Sequence, residues 1–336
     1  MEQKIKKVLI IRCGALGDLV YSTSVIDALR YEYGENTQID FLTTPINAQL
    51  FKNDPRVNQL FFLKHKKFPI LLSPQKQALI KHSRNYPYDL LINFEMGKQF
   101  KSLVEKVEAK KKSGWFSEEI HITKTHMVEI CKEFYKSSIS QENMNKSFPK
   151  LFGANFEEVK NRFNLPDKYL VFSPSNSHNR KKGLNYRAWP HKHWKKLLSL
   201  VPNNMPVVLI GAKGEEAFFE PLKPYSKNVI DLVSKMSIPM MISVVEHAKA
   251  LVVTDTGTAH IASAVNTPVF CLIGPTPSEE TGPYKTPFNQ VEVIKANLPC
   301  SPCYKTEVMK ECQFNECMEK ITPEKVINRL SLANIL

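Results

Sequence analysis

Two loops of this sequence place glycine and a carboxylate together at the start of an expected helix. The first is G-A-L-G-D at residues 14–18, directly after the apolar run Val8–Ile11. The second is D-T-G-T at residues 255–258, after the apolar run Leu251–Val253. Glycine lets a ligand approach the backbone closely, and a carboxylate can accept a proton or a hydrogen bond. Both loops are therefore candidate sites of chemistry.

Three roles are open for Asp18 on its local sequence alone. It can be a first-turn carboxylate favoured by the helix dipole, a residue of a phosphate-binding loop, or a general base. The loop is not a Walker loop, because no Gly-Lys-Ser/Thr follows it. Its G-x-x-G spacing, from Gly14 to Gly17, also lacks the third glycine of the dinucleotide-binding fingerprint.

The second loop predicts an anion site. Backbone N–H groups and the helix dipole at Thr256-Gly257-Thr258 suit a diphosphate, with Asp255 ending the preceding strand. Gly257 would let a phosphate approach, and both threonine hydroxyls can donate. His260 follows on the first turn of the expected helix, where it is either a packing residue or a further donor.

A polar, cationic loop follows another expected strand. Ser175 and Asn176 come first, and Arg187 stands before Trp189-Pro190. Such cations can neutralise the charge on a departing diphosphate, although a solvated basic loop is the simpler alternative. Three further cations lie within the loop, namely Arg180, Lys181 and Lys182.

Acids and thiols add two further candidates. Glu215 and Glu216 start a helix after Gly211, where a carboxylate could bind a ribose or simply begin the helix. Four clustered cysteines could form a closed structural zinc or iron site; unpaired thiols or one disulfide are the alternatives. These cysteines are Cys300, Cys303, Cys312 and Cys317, whereas Cys13, Cys131 and Cys271 lie in apolar contexts that predict burial.

Strand and helix patterns alternate along the whole chain. The N-terminal part predicts βαβαβ from Lys7 to Phe94, and the pattern restarts near Lys168. We therefore predict an α/β protein with two parallel-sheet, Rossmann-like domains, residues 1–160 and 161–318, and a C-terminal helix within 319–336. The cleft between the carboxyl ends of two such sheets is the expected ligand site.

The charge balance favours an anionic partner. Lys plus Arg total 46 against 33 acids, a net charge of +13, which suits a phosphorylated or carboxylated ligand or an acidic lipid surface. No zinc-finger spacing or RNP-type signature predicts nucleic-acid binding. The sequence has no apolar run long enough for a span and no signal-type cleavage site, so we expect a cytoplasmic protein. The basic segment 97–112, including Lys98 and Lys101, is either a solvated helix face or an anion-binding surface.

Three separated segments resemble glycosyltransferase family nine, the lipopolysaccharide heptosyltransferases. They are VLIIRCGALGDLVYSTSVIDALR near the N-terminus, RAWPHKHW in the middle, and VTDTGTAHIASAVNTPVFCLIGPTPSEETGPY later in the chain. The resemblance implies the B-type glycosyltransferase fold, with a C-terminal helix crossing back to pack on the N-terminal domain. It implies inverting, metal-independent transfer of a heptose from ADP-heptose to the inner core of lipopolysaccharide in a Gram-negative cell.

The resemblance also implies roles for individual residues. Asp18 falls on the family's general base, with Gly17 on the acceptor side, where the basic charge of Lys98 and Lys101 would suit an anionic core at the inner membrane surface. The phosphate-binding elements fall on Asp255, Thr256, Gly257, Thr258 and His260. Arg187 stands where the family usually has lysine, and Ser175 and Asn176 differ from threonines seen in some members. Glu215, Glu216 and Met236 are expected near the ribose and adenine.

Two alternatives remain at this point. One is heptosyl transfer onto a protein of the autotransporter type by an enzyme with a cysteine-bound iron, for which the 300–317 cluster is the motivation. The other is a non-catalytic nucleotide- or metal-binding module of the same fold.

Overall fold

The chain divides into two compact units. The computed structural model describes residues 5–120, 124–176 and 184–336. The first unit is Met1–Leu151 and the second is Phe152–Leu336. The sequence predicted the boundary at residue 160. In the structure the boundary lies before that residue, because the helix Phe156–Phe163 belongs to the second unit.

The first unit is built on a parallel five-stranded sheet. Its strands are β1 (Lys7–Ile11), β2 (Gln38–Thr43), β3 (Gln59–Phe62), β4 (Tyr88–Asn93) and β5 (Ala109–Gly114). Their order is β3-β2-β1-β4-β5 and every neighbouring pair is parallel. The central strand β1 is fully buried from Val8 to Ile11, as expected for an apolar run in a sheet covered on both faces.

Short helices connect the strands of the first unit. The apolar spacing from Leu19 to Tyr33 predicts one helix ending at Gly34, but two helices separated at Thr23 fill this stretch. At the break, the Ser22 and Thr23 hydroxyls donate to the Leu19 and Val20 carbonyls at 2.8 Å each, bonds that compete with helical bonding. The helices are α1 (Leu16–Ser22), α2 (Ser24–Tyr33), α3 (Pro74–Asn85), α4 (Lys101–Lys106), α5 (Met127–Glu133) and α6 (Gln141–Asn145).

The basic segment 97–112 does not form one helix. Its lysine run, Lys110 to Lys112, lies in β5 at the edge of the sheet. Lys110 pairs with Asp89 at 2.7 Å, and Lys112 donates to the Val104 carbonyl at 2.8 Å. Lysines on an edge strand discourage pairing with another chain, and the anion-binding alternative for this segment stays a prediction.

The second unit contains a parallel six-stranded sheet. Its strands are β6 (Leu170–Ser173), β7 (Val207–Leu209), β8 (Val229–Asp231), β9 (Ala250–Thr254), β10 (Val269–Leu272) and β11 (Val291–Ile294). Their order is β11-β10-β9-β6-β7-β8, and all neighbouring pairs are parallel. The sequence missed the edge strand β11, whose alternating Val291-Glu292-Val293 is only partly buried.

Helices cover both faces of the second sheet. Along β6, Leu170 and Phe172 enter one hydrophobic cluster while Tyr169 and Val171 enter the other, which is the side-chain alternation of a strand. This arrangement confirms the predicted doubly wound α/β architecture. The helices are α7 (Phe156–Phe163), α8 (His191–Leu200), α9 (Glu216–Phe219), α10 (Ile238–Glu246), α11 (Gly257–Ala264), α12 (Ser278–Thr281), α13 (Glu307–Glu311), α14 (Glu316–Glu319) and α15 (Pro323–Leu332).

The C-terminal helix packs within the second unit. Its start follows the sequence signal, because the Thr322 hydroxyl accepts from the Lys325 N–H at 3.2 Å and Pro323 occupies the first helical position. Val326 and Leu330 are fully buried in the cluster that holds Trp194 of α8. The family resemblance placed residues 319–336 on the N-terminal domain, whereas the apolar side of α15 completes the core of the second unit.

Two further expectations concern burial and membranes. Cys13, Cys131 and Cys271 are buried free thiols, as predicted. Across the described ranges, no helix is both long enough and apolar enough to cross a bilayer.

Candidate active site

Both sheets contain a topological switch point. In the first, β1 lies between β2 and β4, and in the second, β6 lies between β7 and β9. Loops that leave the carboxyl ends of the two strands on either side of such a point diverge, which creates the crevice where open α/β sheets bind ligands. The loops that begin after Ile11 and Thr254, which the sequence singled out, both start at these points.

Asp18 lies on the first turn of α1, in the loop-helix unit that follows β1. Its Oδ2 accepts a hydrogen bond from the Ala15 N–H at 2.8 Å, and its Oδ1 lies 3.7 Å from Arg12 Nη2. The side chain is 38 % exposed. Asp18 therefore closes the helix start, as one of its three predicted roles required, and still presents carboxylate to solvent.

The glycines of this loop serve different purposes. A Cβ at Gly14 would lie 2.6 Å from Asp18 Oδ2 and 2.8 Å from Asp18 Cβ, so a side chain there would displace the carboxylate. The Gly14 carbonyl also accepts from Asn47 Nδ2 at 2.8 Å, which holds the loop in place. Gly17 lies inside α1 rather than in a tight turn.

Glu95 supports the Asp18 loop from the other side of the switch point. This residue follows β4, and its Oε1 accepts from the Cys13 N–H at 2.7 Å. Arg12 donates to the Phe94 carbonyl at 2.8 Å and lies 4.0 Å from Glu95 Oε1. Burial, together with the Glu95 charge, raises the pKa of the Cys13 thiol far above its usual range, so this thiol is a neutral packing group.

Lys98 and Lys101 do not contact Asp18 through any described hydrogen bond or ion pair. Both are exposed and lie at the start of a short 3-10 turn, Lys98–Phe100, and of α4. They are available to an anion in solution, and their acceptor-side role stays a prediction.

Asp255 is a buried carboxylate of the second unit. It directly follows β9, and its Oδ2 accepts from the Thr276 hydroxyl at 2.6 Å. The same oxygen lies 3.2 Å from Arg187 Nε, and the Asp255 side chain is only 7 % exposed. This ion pair brings together two residues that the sequence predicted separately. Asp255 therefore orients Arg187 rather than facing a ligand alone.

Arg187 is held on three sides. Besides its pairing with Asp255, its guanidinium carbon lies 4.7 Å from the centre of the Tyr304 ring. Its backbone N–H donates to Asn185 Oδ1 at 3.1 Å. The planar guanidinium can pair with a carboxylate and stack its face on an aromatic ring at once, whereas a lysine ammonium is a point charge without a planar face. Arginine at this position therefore matches its surroundings.

Helix α11 begins where the second loop predicts an anion site. Thr256 precedes the helix in extended conformation and Gly257 is the first helical residue, and both are partly exposed. Thr258 and His260 are buried, and Thr258 accepts from the Ser173 hydroxyl at 3.5 Å. The first-turn N–H groups of this helix thus open beside the carboxyl end of β9, while His260 belongs to the interior.

Glu215 and Glu216 stabilise the start of α9. Glu215 is buried, and its Oε2 accepts from the Ser175 hydroxyl at 2.6 Å and from the Ala212 N–H at 3.0 Å. Glu216 Oε1 accepts from the Gly214 N–H at 3.1 Å and from the Ser234 hydroxyl. Both carboxylates already have protein partners, so the structure gives them loop-closing roles beside their predicted contact with ribose.

The remaining candidates of the second unit lie near this group. Asn176 is buried and its Oδ1 accepts from Asn185 Nδ2 at 3.0 Å, which links the β6 loop to the residues before Arg187. Met236 is partly buried at the border of the core between the sheet and α10. The cations Arg180, Lys181 and Lys182 lie outside the described residues.

The four clustered cysteines differ in burial, and the metal site predicted for them stays a prediction. Cys300 is exposed and Cys312 is partly exposed, whereas Cys303 and Cys317 are buried. Burial raises the pKa of Cys317 to about 11, and the neighbouring thiols add to that shift. Within residues 5–120, 124–176 and 184–336, no three or more His, Cys, Asp or Glu side chains are grouped to hold a metal ion. Cys317 instead packs in the hydrophobic cluster around α8.

Sequence reasoning missed three residues that shape the two sites. Glu95 and Thr276 each follow a sheet strand, a position that could have marked them, but neither stands in a glycine-rich segment. Tyr304 lies between the cysteines, where the thiols drew attention away from it. Each contacts a residue distant in sequence, so only the folded chain reveals these partners.

The family model described as Glycosyltransferase family 9 (heptosyltransferase) matches residues 77–313. Lipooligosaccharide heptosyltransferase 2 of Haemophilus influenzae is 26 % identical over 151 residues, 43 % of this chain and 42 % of that protein. Lipopolysaccharide heptosyltransferase 1 of Salmonella typhimurium is 27 % identical over 175 residues, 51 % of this chain and 52 % of the relative. In these alignments the chain therefore spans about half the length of each relative.

Solved structures share the fold over nearly the whole chain. A glycosyltransferase family 9 protein from Veillonella parvula has a TM-score of 0.81 at 16 % identity, with 99 % of this chain and 98 % of the other covered. E. coli ADP-heptose LPS heptosyltransferase II has a TM-score of 0.76 at 20 % identity, with 98 % and 100 % covered. The predicted B-type glycosyltransferase fold with two Rossmann-like units is thereby confirmed. Because the family model matches most of its length, this chain belongs to glycosyltransferase family 9.

Proposed function

We propose that this chain transfers a heptose from ADP-heptose to the inner core of lipopolysaccharide, with inversion and with Asp18 as general base. The observation that carries the proposal is the carboxylate of Asp18 at a switch point, held by the Ala15 N–H and yet 38 % exposed. Family membership and the names of the relatives support the reaction class. The fold is also that of E. coli WaaC solved with ADP-2-deoxy-2-fluoro heptose, at a TM-score of 0.70 and 21 % identity.

The second unit would hold the nucleotide sugar. The first-turn N–H groups of α11 and the hydroxyl of Thr256 would bind the diphosphate, as anions bind at helix N-termini. Arg187, oriented by Asp255 at 3.2 Å and by the Tyr304 ring, would stabilise the charge that develops on the departing ADP. All of these charge-stabilising groups belong to the protein, and the proposed transfer does not use a metal ion.

The transfer step moves one proton and exchanges one bond. Asp18 takes the proton of the acceptor hydroxyl as its oxygen attacks the anomeric carbon of the heptose. The bond between that carbon and the diphosphate oxygen breaks, and its electron pair leaves with ADP. Attack from the face opposite the diphosphate inverts the configuration, and a base on the acceptor side serves this geometry.

The acceptor would lie against the first unit. Gly17 beside Asp18, and the exposed Lys98 and Lys101, would face a core that carries carboxylates and phosphates. We extend the proposal to a cytoplasmic protein that associates peripherally with the inner face of the membrane, where a lipid-linked acceptor is located. The +13 charge of the chain supports an anionic partner of this kind.

A structural zinc or iron at Cys300, Cys303, Cys312 and Cys317 stays a separate prediction. The described residues contain no preformed group of metal-holding side chains, so the thiols would have to move together and lose their protons on binding. Elemental analysis of the purified protein tests this prediction. Close to one zinc or iron per chain would support it, and metal-free active protein would contradict it.

The function itself is tested with ADP-heptose and truncated core acceptors of defined length, with the product identified by mass. We expect the mass of one heptose to be added to a core acceptor, and release of one ADP per transfer. Heptose found only on a protein acceptor would favour the autotransporter-type alternative. ADP-heptose that binds without turnover on any core would favour a non-catalytic module.

A further inference from the structure

An apolar loop stands out on the surface of the first unit. Residues 64–72, with the sequence K-H-K-K-F-P-I-L-L, connect β3 to α3 and are here named the 64–72 loop. Three of its large apolar side chains face solvent, with Phe68 45 %, Leu71 85 % and Leu72 64 % exposed. Exposed apolar side chains gathered in one short segment, unlike single scattered ones, indicate an interaction surface.

The loop is anchored from beneath by a buried lysine. Lys76, on the first turns of α3, is fully buried, and its ammonium donates to the carbonyls of Lys66 at 3.0 Å and Phe68 at 2.7 Å. A third bond, at 3.3 Å, reaches the carbonyl of Gln99. A buried charge persists only where such partners compensate it. The ammonium therefore fixes the loop with its apolar side chains pointing outward.

A neighbouring side chain satisfies the rest of the exposed stretch. Gln77 Nε2 donates to the carbonyls of Ile70 at 3.0 Å and Leu71 at 2.9 Å. The Pro69 carbonyl accepts from the Leu72 N–H at 3.1 Å. From Phe68 to Leu71, each backbone carbonyl thus has a donor within the protein.

Backbone carbonyls that already have hydrogen-bond donors allow a loop to enter a lipid environment. A backbone carbonyl that leaves water without a partner carries a large penalty in a lipid environment. From Phe68 to Leu71 the loop has already removed that carbonyl penalty, while the leucine side chains stay in solvent. A loop that only needed to be stable in water would gain nothing from exposing Leu71 and Leu72.

The charges around the loop select the partner. Lys64 and Lys67 are exposed and flank the apolar residues on their N-terminal side. No Asp or Glu occurs between Asp54 and Asp89, a stretch that contains seven Lys and Arg residues. Apolar tips beside the exposed ammonium groups of Lys64 and Lys67 match the boundary between acyl chains and anionic headgroups.

The loop is also tied to the Asp18 loop. Lys66, from within it, donates to the Cys13 carbonyl at 2.6 Å, one residue before Gly14. The bond to Gln99 connects it to the segment of Lys98 and Lys101 as well. Contact of the loop with a bilayer would therefore bring the surface of the first unit that carries Asp18 close to lipid headgroups.

We propose that the 64–72 loop docks this protein on an anionic phospholipid bilayer. Phe68, Leu71 and Leu72 enter the boundary between headgroups and acyl chains, and Lys64 and Lys67 contact lipid phosphates. This inference rests on the membrane association included in the proposed function, and it specifies the surface and the lipid chemistry. It does not depend on heptose being the transferred sugar.

The test measures binding of the full chain to vesicles by co-sedimentation. We expect binding to vesicles that contain phosphatidylglycerol and little binding to vesicles of phosphatidylcholine alone. The double variant Leu71→Ser/Leu72→Ser should weaken vesicle binding by roughly tenfold per leucine. That factor corresponds to about half of the free energy gained when a leucine side chain is fully buried away from water. The matched control, Phe314→Ser/Leu332→Ser, alters two exposed apolar residues of the second unit and should leave binding unchanged.

A charge variant separates the two contributions. Lys64→Gln/Lys67→Gln should weaken binding by roughly fivefold per lysine at low salt, and the loss should shrink as salt screens the charges. The control Lys227→Gln/Lys285→Gln removes the same charge from exposed positions of the second unit and should cause a much smaller loss.

Several outcomes would overturn the inference. One is that the wild-type protein does not bind anionic vesicles. A second is that the leucine variant binds them as tightly as the wild type does. A third is that the leucine variant differs from the wild type only by loss of a dimer in sedimentation. Turnover with a deacylated, water-soluble core acceptor distinguishes this failure from failure of the proposed function. Docking can fail while that turnover persists, and turnover can be absent while the loop still determines vesicle binding.

Discussion

Replacement of Asp18 by asparagine separates the two roles that the structure gives this residue. The carboxylate accepts the Ala15 N–H through Oδ2 at 2.8 Å, and its remaining capacity faces Arg12 and solvent. The asparagine amide keeps an oxygen that can accept the same N–H, but it cannot take up a proton from an acceptor hydroxyl. Asp18→Asn should therefore keep the helix start and lose the base.

The expected magnitudes differ for activity and stability. General-base catalysis contributes typically about 10²–10⁴-fold, so kcat of Asp18→Asn should fall by that factor, or about 3–5 kcal/mol in barrier. The Arg12 contact, at 3.7 Å to a 38 % exposed carboxylate, is worth only about 0–1 kcal/mol. Asp18→Ala should lose as much activity as Asp18→Asn. Its unfolding free energy should also fall by ~0.5–1.5 kcal/mol, because the Ala15 N–H loses its hydrogen-bond partner.

ADP release and product mass measure the activity of each variant, and urea unfolding measures its stability. Glu157→Gln is the matched control, because Glu157 is an exposed acid on the first turn of another helix, α7. It should retain full turnover. The affinity for ADP-heptose should stay close to wild type in Asp18→Asn.

Two results would refute the assignment. Turnover of Asp18→Asn within about fivefold of wild type would mean that the carboxylate is not the base. Activity lost in Asp18→Ala but retained in Asp18→Asn would mean that Asp18 acts only by closing the start of α1.

Three further predictions follow from single contacts. Gly14→Ala places a Cβ 2.6 Å from Asp18 Oδ2, so kcat should fall at least about tenfold through displacement of the carboxylate; an unchanged kcat would mean that the loop adapts. Arg187→Lys should lower kcat roughly tenfold with little change in KM for ADP-heptose, because the ammonium lacks the planar face that stacks on Tyr304 and would stabilise the departing ADP less well, and a wild-type kcat would rule out this role. Lys76→Met leaves three carbonyls without their donor and should lower the unfolding free energy by about 2–4 kcal/mol, measured by urea unfolding against the exposed control Lys81→Met, whose equal loss would contradict the anchoring role.

Sequence patterns predicted most of the architecture because the interior strands carry continuous apolar runs. Val8–Ile11 and Leu251–Val253 are fully buried where those runs predicted strands. The edge strands β5 and β11 escaped prediction for the same physical reason. An edge strand needs less apolar surface, and three of the six residues of β5 are lysines, whose side chains find partners only in the folded sheet.

The candidate sites divide in a similar way. The sequence by itself determined that Asp18 and Asp255 follow buried strands and start helices, since glycine, carboxylate and apolar spacing are local properties. Tertiary structure alone decided that Asp255 pairs with Arg187, that Glu95 supports the Asp18 loop, and that Lys76 holds the 64–72 loop outward. The first two contacts join residues far apart in the chain, and strand order, which local spacing does not encode, brings them together. Lys76 lies within ten residues of the two carbonyls that it binds in the 64–72 loop, so this contact depends on how the loop folds back over the start of α3.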